Sequence, residues 1–243
     1  MESLAIQTSA LRYRHGEKGI IHDLDLRVPA GSIFGLLGPN GSGKTTTIRL
    51  LLDLLTPTSG TIRLFGSSIQ KNRRQLLGNI GSLIELPTLY PHLTGLENLE
   101  MTRLLRNLPR RQAIECLELT GLDRVAHQRV STYSLGMRQR LGIALALVGD
   151  PALLILDEPT NGLDPAGILD IRNLIINLNR GFGKTILISS HFLSEIEKIA
   201  TDIAILNDGR LVYQGALNQL RSEACTPADS LESIFLTLTQ AAQ

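Results

Sequence analysis

Two patterns of apolar positions divide this chain. Residues 4–37 are rich in predicted strands, and short β-compatible runs recur at residues 61–65, 153–156, 185–189, 203–206 and 211–213. From residue 95 to residue 148, apolar side chains repeat at the helical period instead, with Pro109 and Gly121 as breaks. The last two runs are joined by residues 207–210, Asn-Asp-Gly-Arg, a hairpin turn signal. We therefore predict an α/β fold with a mostly helical middle.

A glycine-rich segment joins a predicted strand, residues 32–37, to a predicted helix, residues 44–55. It matches the phosphate-loop pattern G-x-x-x-x-G-K-[ST] at every fixed position, with Gly38, Pro39, Asn40, Gly41, Ser42, Gly43, Lys44 and Thr45. The glycines let backbone N–H groups turn toward phosphates, and the helix N-terminus adds the positive end of its dipole. Lys44 would lie between the β- and γ-phosphates, and the Thr45 hydroxyl would bind Mg²⁺. We predict that this segment and the next residue, Thr46, bind a nucleotide, rather than form a turn that binds nothing.

A pair of carboxylates follows the apolar run of residues 153–156. That run is typical of a strand buried on both faces of a parallel sheet. Asp157 and Glu158 then emerge together at its C-terminal end, where ligands bind in open α/β sheets. Beside a nucleotide, Asp157 would hold Mg²⁺ through its water shell, and Glu158 would polarise the water that attacks the γ-phosphate. The alternative is an acidic pair that only ends the strand before Pro159.

The sequence upstream of this strand carries the most specific signal. Residues 133–140 read Tyr-Ser-Leu-Gly-Met-Arg-Gln-Arg, and an apolar helical stretch connects them to the strand. This arrangement resembles the ATP-binding cassette (ABC) ATPases, over nearly all of residues 3–220. The resemblance implies one domain with a P-loop NTPase fold of ABC type: an α/β fold with a mixed sheet core, an antiparallel β subdomain and an inserted helical subdomain. The core and β subdomain would occupy residues 1–84 and 150–220, the helical subdomain 85–149 and a C-terminal tail 221–243.

The resemblance also assigns roles within this turn. Ser134 and Gly136 match the Ser and the second Gly of the family's LSGGQ sequence, which faces the γ-phosphate of the nucleotide held by the other protomer. Leu135 and Met137 depart from that sequence, where the family has Gly and Gln. The Ser hydroxyl and backbone donors still head a helix, so anion binding is expected. Residues 162–165, Gly-Leu-Asp-Pro, look like the family's dimer-contact loop.

Three further residues are assigned by the same resemblance. Tyr13 looks like the aromatic that stacks on adenine, and His191 looks like the switch histidine that donates to the γ-phosphate. Glu85 stands where most of the family has a Gln that links Mg²⁺ and the attacking water to the membrane partner. A carboxylate keeps the oxygen ligand and loses the N–H donor. The structural alternatives are an ordinary strand tyrosine, a structural histidine and a solvated glutamate.

Composition narrows the class of protein. The formal net charge is +1 without a dense block of Lys and Arg, which argues against nucleic acid as a partner. No apolar run approaches the roughly 20 residues that span a bilayer, and the N-terminus lacks a signal-peptide pattern. Cys116 and Cys225 are too few for a disulfide framework or a metal site. We expect a cytoplasmic protein that reaches the membrane through a partner. A short amphipathic helix is predicted over residues 230–238.

Glu85, the turn at residues 133–137 and the sequence Leu-Tyr-Pro-His-Leu-Thr-Gly at residues 89–95 are similar to the ATPase subunits of bacitracin-type and lantibiotic-immunity exporters. This implies a subunit that hydrolyses ATP with Mg²⁺ and pairs head-to-tail with a second protomer, as a homodimer. It would bind integral-membrane permease subunits at the cytoplasmic face, through the apolar surface near residues 86–96, to export a peptide antibiotic. Two alternatives stay open: an exporter ATPase for a lipid, a drug or an ion, and a soluble cassette ATPase that acts on DNA or ribosomes.

Overall fold

The computed structural model describes residues 3–223 and residue 235. Within this part of the chain, the strands are β1 Leu4–His15, β2 Lys18–Leu24, β3 Arg27–Pro29, β4 Ile33–Leu37, β5 Ser59–Leu64, β6 Ser67–Ser68, β7 Ile80–Leu83, β8 Leu153–Asp157, β9 Thr185–Ser190, β10 Asp202–Asn207 and β11 Arg210–Ala216. The α-helices are α1 Lys44–Leu51, α2 Ile69–Gly78, α3 Gly95–Leu105, α4 Arg110–Leu119, α5 Leu135–Leu147, α6 Pro165–Arg180, α7 Leu193–Ile196 and α8 Leu217–Glu223.

The chain divides into two compact units. The first comprises the residues up to Leu77 together with those from Thr185 onward, and the second is Gly78–Lys184. The subdomain limits predicted from the sequence stay a prediction.

The first unit contains an antiparallel sheet in the order β2-β1-β5-β6, with β3 also paired to β1. The long strand β1 changes register against each of its partners, and Ala10 within it has a positive φ of 45°. A bulge of this kind bends a strand. One strand can therefore pair with β3 and β5 in its first part and with β2 in its second.

A mixed sheet in the same unit runs in the order β11-β10-β4-β9. Strand β4 pairs in parallel with β9 and with β10, whereas β10 and β11 form an antiparallel hairpin. Every residue of β4 and β9 is buried, as expected for parallel strands covered on both faces. The carboxyl ends of β4, β9 and β10 therefore meet at one edge of the sheet.

The second unit pairs β7 and β8 in parallel and carries helices α3, α4 and α5 between these strands in sequence. All five residues of β8 are buried. Helix α5 buries side chains on several of its faces, including Leu141, Ile143 and Leu147, as expected for a helix inside a bundle. Helix α6 buries a single stripe of apolar side chains: Ile171, Leu174, Ile175 and Leu178.

The predicted α/β fold is confirmed, and so are the mixed sheet, the antiparallel sheet and the helical segment inserted between two strands. The helix predicted over residues 44–55 is wrong at its C-terminal end. Helix α1 stops at Leu51, and Asp53 then adopts a positive φ of 56° that turns the chain. After His191 the chain forms only the short helix α7. The helix predicted over residues 230–238 lies outside the described residues, except for residue 235. None of the described helices has the length and apolar character needed to cross a membrane.

Candidate functional site

The glycine-rich segment lies in the first unit, between the end of β4 and the start of α1. Gly41 and Gly43 have φ of 83° and 102°, in the left-handed region that favours glycine. A Cβ placed on Gly41 would meet nothing within 4 Å, so this part of the loop is open. Lys44 is 6% exposed, and its Nζ donates to the carbonyl oxygens of Gly38 at 2.8 Å and Pro39 at 3.3 Å. The ammonium group is thus folded back over the loop.

The loop has polar groups suited to an anion. Helix α1 begins without an acidic residue in its first turn and has no side-chain hydrogen bond at its N-cap. Ser42 Oγ is buried and has no hydrogen-bond partner among the residues that the structure describes. A buried hydroxyl without a partner is costly unless a ligand or water satisfies it. Together with the Lys44 ammonium, these features fit a bound phosphate chain.

Strand register brings His191 to the same edge as this loop. Leu37 and Ser190 are paired residues of the parallel strands β4 and β9. The next residues, Gly38 and His191, therefore leave adjacent strands in the same direction. The His191 ring packs on Phe192, with ring centroids 3.8 Å apart.

Tyr13 belongs to the antiparallel sheet of the same unit. It lies opposite Ile21 in the pairing of β1 with β2, and its side chain is half-buried. The Cδ1 atom of Ile21 would lie 2.7 Å from a Cβ on Gly43. Ile21 therefore connects the strand pair that carries Tyr13 to the phosphate loop.

The three predicted carboxylates lie at one edge of the second unit. Leu83 of β7 is paired with Leu156 of β8, and these strands are parallel. Glu85 and Glu158 each follow two residues later, and both have positive φ, of 57° and 49°. Asp157 is only 1% exposed, whereas Glu85 is exposed and Glu158 is intermediate. The structure thus brings Glu85, Asp157 and Glu158 to the same end of the strand pair.

Ser134 and Gly136 lie at the N-terminus of α5. Ser134 is the N-cap, and its Oγ accepts a hydrogen bond from the Met137 N–H at 3.2 Å. The preceding Tyr133 is buried, and its hydroxyl donates to the Val125 carbonyl at 2.7 Å. Burial raises the pKa of the Tyr133 phenol. These contacts fix the turn and leave the first N–H groups of a 13-residue helix at its head.

A cavity of about 420 Å³ opens at this turn and extends along the predicted dimer-contact loop. Leu135 packs toward the loop, because its Cδ2 would lie 3.4 Å from a Cβ on Gly162. Asp164 caps α6 by accepting from the Gly167 N–H at 2.9 Å. Arg140 and Asp170 also line the cavity, and the sequence reasoning missed both of them. Helical periodicity could have found both of them. Arg140 lies one turn after Gly136 on α5, and Asp170 lies more than one turn after Pro165 on α6.

Cys116 is a buried side chain of α4. It is 5% exposed, and burial raises the pKa of its thiol to about 12. A thiol with such a pKa is an inert apolar side chain at neutral pH. Among the described residues there is no cluster of three or more His, Cys, Asp or Glu side chains arranged to hold a metal ion by themselves.

Known proteins share both the sequence and the architecture of this chain. The family model described as ABC transporter matches residues 21–161. A bacitracin transport ATP-binding protein of Enterococcus faecalis is 47% identical over 216 residues, which cover 88% of this chain and 70% of that protein. A lantibiotic transport ATP-binding protein of Streptococcus pyogenes is 39% identical over 212 residues, covering 86% of this chain and 91% of that protein.

Two solved structures agree in fold. The ATP-binding subunit of an ABC transporter superimposes with a TM-score of 0.84 at 28% identity, covering 97% of this chain and 99% of that one. An ATP-binding cassette in a dimeric post-hydrolysis state, bound to ADP and Pi, has a TM-score of 0.77 at 27% identity, covering 87% of this chain and 98% of that one. These matches confirm the predicted fold of ABC type. The chain therefore belongs to the ABC transporter family and is one of its ATPases.

Proposed function

We propose that this ATPase powers the export of a peptide antibiotic of the bacitracin or lantibiotic type. The observation that carries the proposal is the 47% identity to a bacitracin transport ATP-binding protein, over 88% of this chain. The lantibiotic transport protein at 39% identity supports the same class of cargo. Both relatives are named for transport, which supports a membrane permease as the partner.

The phosphates of ATP bind to residues 38–46 in this proposal. Backbone N–H groups of the open loop and of the first turn of α1 donate to the phosphate oxygens. The Lys44 Nζ, which lies on the Gly38 and Pro39 carbonyls, exchanges these contacts for the β- and γ-phosphates. Tyr13 stacks on the adenine, since it offers an aromatic face on the strand pair next to the loop.

Thr45, Glu85 and Asp157 are the residues that would hold Mg²⁺, because hydroxyl and carboxylate oxygens are the donors that this ion prefers. When bound, Mg²⁺ would neutralise negative charge on the phosphates. Glu158 orients and polarises the attacking water as general base. His191 donates a hydrogen bond to the γ-phosphate, and the β4–β9 register that places it next to Gly38 supports this role.

A second copy of the chain completes the site in this proposal. Ser134 and Gly136 head a 13-residue helix without an acidic residue in its first turn, an arrangement that favours an anion. The N-terminus of α5 in one protomer would bind the γ-phosphate of the ATP that the other protomer holds. The dimeric cassette with ADP and Pi supports such a pairing.

The permease binds exposed apolar side chains of the second unit in this proposal; we group Leu86, Tyr90, Met101, Leu104 and Leu105 as the proposed docking patch. Each of these side chains is exposed, and Leu86 and Leu105 are 72% and 87% exposed. The last three follow helical spacing and lie on one face of α3. Apolar patches on soluble chains mark interaction sites. Docking there would hold the ATPase at the cytoplasmic face of the membrane.

The proposal is tested by exposing the native host to a panel of peptide antibiotics. The wild-type chain is compared with a chromosomal Lys44→Ala change, and Lys198→Ala, an exposed lysine outside the site, is the matched control. Selective sensitisation of the Lys44→Ala strain to bacitracin or lantibiotics is the expected result. An unchanged panel would reject the peptide cargo and move the search to lipids, drugs, ions or a role on DNA or ribosomes.

A further inference from the structure

The hairpin turn between β10 and β11 lies directly against the phosphate loop. This turn consists of Asp208 and Gly209, whose φ of 43° and 72° are both positive, as in a type I′ turn. The Gly209 N–H donates to the Ser42 carbonyl at 3.0 Å. A Cβ on Gly43 would lie 3.6 Å from the Gly209 Cα. The turn therefore touches the loop at two consecutive residues just before α1.

The end of strand β10 touches the other end of the same loop. A Cβ on Gly38 would lie 2.4 Å from the Leu206 carbonyl oxygen. Because β10 also pairs in parallel with β4, the strand that leads into the loop, its position is fixed by the sheet. Backbone atoms of the β10–β11 hairpin thus lie close to both ends of the phosphate loop.

The opposite side of Gly209 is held by β2. The His22 N–H donates to the Gly209 carbonyl at 2.9 Å. A Cβ on Gly209 would lie only 1.9 Å from the Ile20 carbonyl oxygen, so no side chain fits there. Gly209 therefore stands between the phosphate loop and the strand β2, whose Ile21 lies opposite Tyr13.

We infer that Gly209 is a positioning residue for nucleotide binding. Its N–H donates to the phosphate loop, and its carbonyl accepts from β2. These two hydrogen bonds set the spacing between the phosphate loop and the strand pair that carries Tyr13. This inference rests on the proposed nucleotide site at residues 38–46. It adds that a residue outside that segment sets the geometry in which the loop presents its N–H groups.

A matched control exists in the same unit. Phe65 and Gly66 form the turn between β5 and β6, with φ of 50° and 77°. A Cβ on Gly66 would meet nothing within 4 Å. Gly66→Ala and Gly209→Ala therefore place the same methyl group in the same left-handed backbone conformation, and only Gly209 lies against the phosphate loop.

The test measures MgADP affinity by calorimetry, and thermal stability without nucleotide, on the purified full chain and its variants. We expect Gly209→Ala to weaken MgADP binding about ten-fold or more, and Gly66→Ala to leave it unchanged although it also lowers the melting temperature. Equal affinities for the two variants would overturn the inference. Lys44→Ala separates the two proposals, because unchanged MgADP binding in that variant would reject the nucleotide site itself.

Amide hydrogen exchange on the wild-type chain covers the case in which Gly209→Ala does not fold. MgADP should slow exchange at the Gly209 and His22 amides, because both hydrogen bonds depend on the position of the loop. The Phe65 amide, which donates to the Ala5 carbonyl at 2.9 Å, should show no change. No slowing at Gly209 when the phosphate loop itself becomes protected would contradict the positioning role.

Discussion

Two adjacent carboxylates at the end of β8 have different surroundings. Asp157 is 1% exposed, whereas Glu158 is more open and has a positive φ of 49°. A more open carboxylate can reach a water molecule, whereas a buried one is better placed to hold a fixed ligand. We expect Glu158→Gln to retain ATP binding and lose hydrolysis by a factor of about 10² to 10⁴, the range of general base catalysis.

The measurement is steady-state phosphate release together with equilibrium nucleotide binding. Glu118→Gln, an exposed glutamate on α4, is the matched control and should hydrolyse ATP at the wild-type rate. Wild-type turnover in Glu158→Gln would remove Glu158 from the role of general base.

Candidate site residues can be proposed from the sequence where the chemistry is local. The phosphate loop and the Asp157–Glu158 pair each lie within one short segment, so their identities and spacing carry the inference. Gly209 was predictable only as a turn residue. Its contacts with Ser42, Gly43 and Ile20 join segments that are far apart in the chain, and no local pattern encodes such a meeting.

At the scale of elements, α3 has the most complete N-terminus. Thr94 Oγ1 accepts from the Glu97 N–H at 3.2 Å, and Glu97 Oε2 accepts from the Thr94 N–H at 2.7 Å, which is a capping box. These hydrogen bonds lower the pKa of the Glu97 carboxyl below its usual 4.5. Thr94→Ala should reduce the free energy of unfolding by about 0.5–2 kcal/mol at pH 7.

Urea unfolding of the wild type and the variants over a range of pH measures this contribution. A carboxyl whose pKa is lowered in the folded state stabilises it above the unfolded pKa, and that stabilisation is lost as the pH falls through the folded pKa. Glu97→Ala, which removes the carboxylate, should therefore show its full loss above pH 4.5, and its difference from wild type should narrow in more acidic solution. Thr94→Ala keeps the backbone N–H that donates to Glu97, so its loss should depend less on pH. A Glu97→Ala difference independent of pH would show that the Glu97 half of the box adds nothing.

The existence of elements was easier to predict than their ends. Strand β8 opens with the continuous apolar run 153–156, because both faces of a parallel sheet are covered. Helix α1 was predicted too long because Leu52 and Leu55 continue the apolar period, whereas the positive φ at Asp53 ends the helix. Leu52 is buried although it lies outside the helix, so burial by tertiary packing imitates helical periodicity.

At the scale of the whole molecule, the proposed coupling to a permease would depend on exposed side chains of the second unit. Leu105 is 87% exposed at the end of α3, within the patch proposed for docking. Leu105→Glu should leave the ATPase rate of the isolated chain unchanged and abolish antibiotic resistance in the host, because a charge cannot enter an apolar interface without cost. Phe182→Glu is the matched control, since Phe182 is 50% exposed and lies outside the patch.

This docking prediction is tested by measuring antibiotic resistance in the host and ATP hydrolysis by the purified variants. Full resistance with Leu105→Glu would place the permease elsewhere.

The family was predictable from the turn at residues 133–137 and its spacing from β8, because the residues that handle ATP are in the chain itself. The cargo is proposed only through resemblance to the bacitracin and lantibiotic transport proteins, because no local motif of this chain encodes it.

The two matched hairpin turns also differ in how they can accept added chain. A Cβ on Gly66 would meet nothing within 4 Å, so residues or a fused peptide inserted next to Gly66 would extend outward. The turn at Asp208 and Gly209 is enclosed by backbone on two sides. Its length is therefore fixed by the loop that it touches. Two turns of the same backbone type in one unit therefore differ in their tolerance to insertions: the turn at Gly66 should accept added residues, and the turn at Gly209 should not.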